Sequence, residues 1–263
     1  MLYLNMKDTL FAIRKKIMSE RKRWTREELA LVLNLYCKLP FGKMHTHNPE
    51  IIRLSEYLGR TPGSVAMKLS NFAFLDPTLK QKGLSEWSKL DRQVWQEFFA
   101  DENLVAQTEA ISENLTQDIP ASISYSADDT VISAKGRKLQ GFFRKTILAN
   151  YGNSCCISGM KIPALLVASH IVPWNADKSI RLSPQNGLCL NALHDKAFDK
   201  GLITLDSSYR VVISKSVVRE KSNSALLDFE GQKITLPEKF LPSLEFLSYH
   251  QVNIFKNWLD FRL

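Results

Sequence analysis

The sequence predicts an α+β chain in two parts. An all-α, helix-turn-helix-like bundle occupies residues 1–100, a linker residues 101–134, and a mixed region of short strands and helices residues 135–263. Three observations carry this division. From Thr25 onward, three helix starts with strong capping signals follow one another at short spacing. From Asp101 the composition turns rich in Ser and Asp and loses any sustained period. After Gly136, strand-like apolar runs alternate with helical spacing.

The first helix lies in "RKRWTREELALVLNLYCKLP". Thr25 is its N-cap, Glu28 completes a capping box, Trp24 and Leu29 can form a hydrophobic staple, and Pro40 closes it. The second, "NPEIIRLSEYLG", starts with Asn48 as cap and Pro49 in the first turn, and stops at Gly59. The third, "TPGSVAMKLSNFAF", starts with Thr61 and Pro62. An amphipathic segment, "LSEWSKLDRQVWQEFF", ends near Ala100, with Trp87 and Trp95 expected to pack on the bundle. "ISENLTQDIPASISYSADDTVISAKG" then reads as linker.

The second part opens with the helix "GRKLQGFFRKTILANYG". Phe142, Phe143, Ile147 and Leu148 form its apolar side, Arg137, Lys138, Arg144 and Lys145 its polar side, and Gly152 ends it. "LLVASH" reads as a buried strand that Pro173 and Trp174 terminate. A polar loop carrying Arg181 leads to a second short strand, "GLCL", and a helix, "ALHDKAF". The strands "GLITLD" and "YRVVIS" follow.

The chain has 263 residues, 44% hydrophobic and 24% charged, which suits two modest soluble domains. No stretch approaches the ~18 apolar residues of a membrane helix, and the N-terminus lacks the apolar core of a signal peptide. A cytoplasmic protein with no membrane partner is expected. Cys37, Cys155, Cys156 and Cys189 form no CxxC pair and read as buried free thiols. The net charge of +8 favours a polyanionic partner. Residues Arg14–Arg26, with seven basic side chains and one acid, are the first candidate for phosphate contact.

Two resemblances sharpen this reading. "WTREEL" followed by "LGRTPGSVAMKL" resembles the Myb/SANT tri-helical module over residues 22–75, whose third helix meets DNA. Arg60, Ser64, Lys68 and Asn71 are the polar positions it would offer, with Arg60 and Lys68 as DNA-binding candidates; a protein-binding helical bundle is the alternative. From residue 137 to about 257 the chain resembles HNH endonucleases, especially bacterial restriction-type ones. The matches are "GFFRKTILANYGNSCCISG", "LLVASHIVPW", "RLSPQNGLCLNALHDKAFDKGLITLD" and "LPEKFLPSLEFLSYHQ".

That resemblance implies a ββα-metal nuclease domain. His170, Asn186 and His194 are its catalytic candidates. His170 would be the general base, Asn186 would fix the loop and hold the imidazole, and His194 would bind a divalent metal. Mg²⁺ is the expected ion, with Mn²⁺ as alternative. An imidazole suits the task because its ordinary pKa lies near neutrality. Many relatives carry a metal-binding Asp or His before the base; here the residue is Ser169, a weak ligand. Asp195 and Asp199 are the carboxylates that could supplement it. Arg144 and Arg181 could hold the scissile phosphate, or could be structural ion-pair partners. Trp174 and His250 read as packing, and His45 and His47 as loop residues without a third ligand. The implied activity is metal-dependent DNA hydrolysis in restriction or defence, with a homodimer or two visits needed for a double-strand break. The alternatives are a DNA-binding regulator whose HNH module is inactive, and a nuclease subunit of a larger defence complex.

Overall fold

A computed structural model describes residues 22–79, 87–116 and 134–255. Most of the basic stretch from Arg14 lies outside them. Among the described residues, five α-helices form the N-terminal region: α1 (Arg26–Lys38), α2 (Pro49–Tyr57), α3 (Pro62–Leu75), α4 (Lys89–Glu97) and α5 (Glu102–Leu115). Then come α6 (Ala134–Asn150), β1 (Leu166–His170), β2 (Gly187–Asn191), α7 (Ala192–Asp199), β3 (Ile203–Leu205), β4 (Val211–Ile213), the short α8 (Ser224–Leu227) and α9 (Leu244–Asn253). The fold is α+β, and the described residues hold two antiparallel two-stranded sheets, β1–β2 and β3–β4.

The capping chemistry accounts for the helix starts. Thr25 and Glu28 form the reciprocal capping box, and Asn48 and Thr61 cap helices that begin with Pro. Ser88 and Asp91 form a second capping box at α4. Trp95 joins an aromatic cluster with Tyr36, Phe72 and Phe240, as expected. Trp87 instead carries the guanidinium of Arg92, 4.0 Å from its ring centroid.

The expected linker begins with structure. Asp101 caps α5 through the backbone N–H of Leu104, and Leu104, Val105, Thr108 and Glu109 are buried. The helix escapes a reading based on apolar period because half of its buried face is polar. Glu109 is fully buried between Lys38 of α1 and Lys145 of α6, and Asn34 donates to it at 3.2 Å. The residues from 117 to 133 lie outside the described ones.

The two regions also share a core. One cluster gathers α1–α5 together with Leu139 and Phe142 of α6, Leu182 and Phe240. The other gathers Phe143 and Ile147 of α6 with the strands, α7 and Leu247 of α9. Phe142 and Phe143 are adjacent, so helical geometry turns them about 100° apart and α6 serves both clusters. Lys239 extends from the second region into the first. Its buried ammonium donates to the carbonyls of Tyr36 and Leu39 at the end of α1. The boundary expected at residue 134 therefore does not coincide with the boundary between the two buried clusters. Two of the four basic residues of α6 are spent on the contact, Lys138 on Glu113 and Lys145 on Glu109 and Glu113.

Candidate active site

β1 and β2 pair in register from Leu166↔Asn191 to His170↔Gly187, so His170 ends the hairpin at the mouth of its loop. Its imidazole lies on the ring of Phe143, centroids 3.8 Å apart and 11° from parallel. The ring of Trp174 stands nearly perpendicular to it, centroids 5.4 Å apart and planes at 83°. Nε2 stands 2.9 Å from the carbonyl oxygen of Arg181. A carbonyl only accepts, so Nε2 carries the hydrogen and Nδ1 keeps the free lone pair of the neutral ring. Burial pushes the imidazole down to about 4, against the opposing pull of the Arg181 carbonyl. The ring is neutral at pH 7.

Asn186 is fully buried and acts at one remove. Its Oδ1 accepts from the N–H of Val172 at 2.8 Å, and its Nδ2 donates to the carbonyl of Val172 at 3.1 Å. Its own carbonyl accepts from Ile171 N–H at 3.0 Å. It pins the two residues after His170; the expected hold on the imidazole comes from Arg181 instead.

His170 opens onto a cleft of about 520 Å³, which Ser169, Trp174, Asp195, Lys196, Asp199, Lys200 and His250 also line. Asp195 and Asp199 are four residues apart on α7 and share its cleft side. Burial pushes the carboxyl of Asp195 up, with Ser169 and Lys196 working the other way. Burial, together with the charge of Asp195, pushes Asp199 up against Lys196 and Lys200. The hydroxyl of Ser169 is buried and makes no hydrogen bond of ordinary geometry, although Asp195 stands close enough to feel it. Two carboxylates of like charge beside a buried hydroxyl that makes no well-formed hydrogen bond fit a hard divalent cation. Among the described residues no three His, Cys, Asp or Glu side chains form a complete cage. An octahedral ion such as Mg²⁺ commonly uses one or two carboxylates and completes its shell with water and phosphate.

His194 is not brought to this cleft. It is 2% exposed. Its Nε2 faces the carbonyl of Ala225 at 3.2 Å and its Nδ1 the sulfur of Cys155 at 3.5 Å. Burial would raise the Cys155 thiol, but hydrogen bonds from His194 and Ser158 outweigh it and bring it down to about 6. Helical geometry explains the separation: residues 195 and 199 share one face of α7 while 194, 197 and 198 turn into the core. All four cysteines are buried and free, as the spacing predicts.

The expected DNA contacts are corrected by their surroundings. Lys68 is buried and pairs with Asp91, both carboxylate oxygens at 2.9 Å. Arg60 stacks on Trp24 at 3.8 Å and pairs with Glu28 at 2.6 Å, its side chain 7% exposed. Both cations hold the bundle together, because α4 and the segment before α1 cover the polar face of α3. Arg144 donates to the carbonyl of Leu166 at 2.8 Å and anchors the start of β1. Arg181 pairs with Glu102. The sequence reading passed over Lys196 and Lys200, the cations the cleft does present; the signal was their i, i+4 spacing beside the two aspartates. It also passed over Gly187. A Cβ there would stand 2.8 Å from Phe143 Cζ and 2.3 Å from Ile147 Cδ1, so only glycine lets α6 approach beneath His170. His250 lines the cleft but is held by Thr204 at 2.9 Å and the carbonyl of Phe198 at 3.1 Å. His45 and His47 stand on the exposed loop before α2.

Among the described residues, no helix is long and apolar enough to cross a membrane. No curated protein matches the chain. Among solved structures, it is similar to a modification dependent TagI restriction endonuclease, with 18% identity and a TM-score of 0.35. That match covers 51% of this chain and 42% of the other, less than half of that protein's length. The family model described as HNH endonuclease matches residues 155–206, which hold β1, the His170 loop, β2 and α7. Over this segment the chain is similar to HNH endonucleases.

Proposed function

We propose that the protein is a metal-dependent DNA endonuclease in which His170 is the general base. One observation carries the reading: a neutral imidazole, tethered through Nε2 and free at Nδ1, opens onto the cleft that holds two carboxylates and two lysines. A water beside Nδ1 gives its proton to the ring as its oxygen attacks the phosphorus. The stacked Phe143 and the Arg181 carbonyl keep the lone pair aimed at that water. Lys196 and Lys200 draw the phosphate backbone along α7. Asp195 and Asp199, with the hydroxyl of Ser169, would hold the divalent ion. That ion supplies charge stabilisation for the phosphate and the departing 3′ oxygen. The products are 5′-phosphate and 3′-hydroxyl ends. A single centre of this kind nicks one strand per visit, so a double-strand break needs two copies or two encounters. The setting we propose is restriction of foreign DNA.

Plasmid cleavage in Mg²⁺ or Mn²⁺, on modified and unmodified DNA, tests this reading with wild type and His170→Ala. Nicking that requires the ion and disappears in the variant is expected. Ion-independent nicking, or equal nicking by both proteins, would overturn it.

A further inference from the structure

The loop that holds the imidazole is itself held from the helical region. Glu102, in the first turn of α5, pairs with Nη2 of Arg181. Glu102 also faces Lys135, at the start of α6, at 3.5 Å. The guanidinium carbon of Arg181 stands 4.6 Å from the ring centroid of Trp174. The Arg181 side chain is 13% exposed and that of Glu102 is 22% exposed. Trp174 stands nearly perpendicular to His170, and the backbone carbonyl of the same Arg181 receives the imidazole Nε2–H. One residue thus ties the helical region, through its side chain, to the imidazole, through its main chain.

We propose that Glu102 and Arg181 are positioning residues through which the helical region sets the orientation and tautomer of His170. The inference rests on the reading of His170 as the base. Residues 173–185 form a mostly polar loop that Leu182 anchors in the first cluster, and the orientation of the Arg181 peptide beside that anchor is what its side chain can set. With Leu182 buried next to it, the ion pair, the stack on Trp174 and the carbonyl contact hold that carbonyl in place. Without them the ring can turn, or carry its hydrogen on Nδ1, and Nδ1 then has no lone pair to accept a proton. Arg181 is committed to a carboxylate and an aromatic face, so it acts through His170 rather than on a phosphate.

Two readouts on the full chain test this. The first is the ring-nitrogen NMR spectrum of histidine-labelled protein, with the His170 signals assigned from a His170→Gln variant. Wild type is expected in the Nε2–H tautomer. Glu102→Ala should shift His170 toward a mixture, and Glu102→Gln, which keeps an acceptor for Arg181, should restore much of the wild-type signal. The second is cleavage kinetics. Glu102→Ala and Arg181→Ala should lower kcat roughly 10- to 100-fold, the scale of misplaced catalytic groups, with KM nearly unchanged. A raised KM for Arg181→Ala alone would make Arg181 a phosphate contact and overturn the inference. Lost kcat with an unmoved tautomer spectrum would also overturn it, because the effect would not run through the imidazole. If wild type cleaves no DNA, the base reading falls, while the spectrum of Glu102→Ala still decides whether the tie exists.

Discussion

Phe143 lies flat beneath His170, its ring 3.8 Å from the imidazole and 11° from parallel. Phe143 belongs to α6, whose next buried residue on that side, Ile147, reaches under Gly187 across the hairpin. The helix is thus the floor on which the base stands. Phe143→Ala should cost about 3–5 kcal/mol of stability, as aromatic truncations in cores do, and should also lower kcat. Urea melts and nicking rates at a temperature where the variant is folded check both. A destabilised variant with a wild-type rate would show that the stack contributes packing alone.

Gly187 allows that close approach. Gly187→Ala should destabilise by about 1–3 kcal/mol, the usual cost of overpacking. It should also move Phe143 and with it the ring of His170. Comparing kcat for Gly187→Ala and for Phe143→Leu separates the effects: the alanine variant keeps the aromatic ring but displaces it. If Gly187→Ala melts and cleaves as wild type does, the helix can yield and the glycine has no such role.

Much of this was legible in the sequence where local chemistry decides. Thr25, Asn48 and Thr61 cap where their side chains reach the next backbone N–H, which depends on neighbours in sequence alone. His170 at the end of a strand was legible for the same reason. What escaped depends on partners distant in sequence. Lys68 and Arg60 read as exposed cations, yet Asp91 and Glu28 enclose them across 23 and 32 residues. The α5 helix was masked by Thr108 and Glu109, which are buried only because Asn34 and Lys38 arrive from α1. His194 and Asp195 are adjacent letters, but a step of about 100° sends one to Cys155 and the other to the cleft.

The burial of Lys68 gives a direct check on that correction. Lys68→Ala leaves Asp91 buried with only neutral partners, Asn71 and the N–H of Ser88. Breaking a buried pair from one side costs about 3–5 kcal/mol. At temperatures where the variant is folded, its DNA affinity should fall with salt along the same slope as wild type. A slope reduced by about one would mean that Lys68 contacts a phosphate after all.

Two buried imidazoles make stability depend on pH in a definite direction. Burial holds both His170 and His250 down at about 4, from an ordinary 6.5, against the pull of the Arg181 and Phe198 carbonyls. The unfolded chain therefore binds more protons between those values, and stability rises with pH. The contribution is fully present above about 6.5 and is lost as pH falls toward 4. Each ring accounts for a slope of up to about 1.4 kcal/mol per pH unit in that window. Urea unfolding of wild type and His250→Gln between pH 7.5 and 4 measures it. The variant should show a slope shallower by up to that amount; an unchanged slope would place His250 at an ordinary value in the fold.

The cleft aspartates make the opposite trade, and it separates their burden on the fold from their use. Burial raises both carboxyls, and at Asp199 the charge of Asp195 adds to it, so each charged form opposes folding at neutral pH. Raised carboxyls contribute stability while protonated and lose it as pH climbs through their folded values. Asp195→Asn and Asp199→Asn should therefore raise the melting temperature in chelator at pH 7. Added Mg²⁺ should stabilise wild type, because an ion bound only by the folded state shifts the equilibrium by mass action. In either Asn variant that gain should shrink or vanish, and cleavage with it. His194→Gln supplies the contrast: its ring meets Cys155 and the carbonyl of Ala225, so it should lower the melting temperature in chelator and leave the Mg²⁺ gain intact. If instead the Mg²⁺ gain is lost in His194→Gln and kept in both Asn variants, the ion binds on the far side of α7. Calorimetric melts of four proteins, each with and without Mg²⁺, decide between the two arrangements.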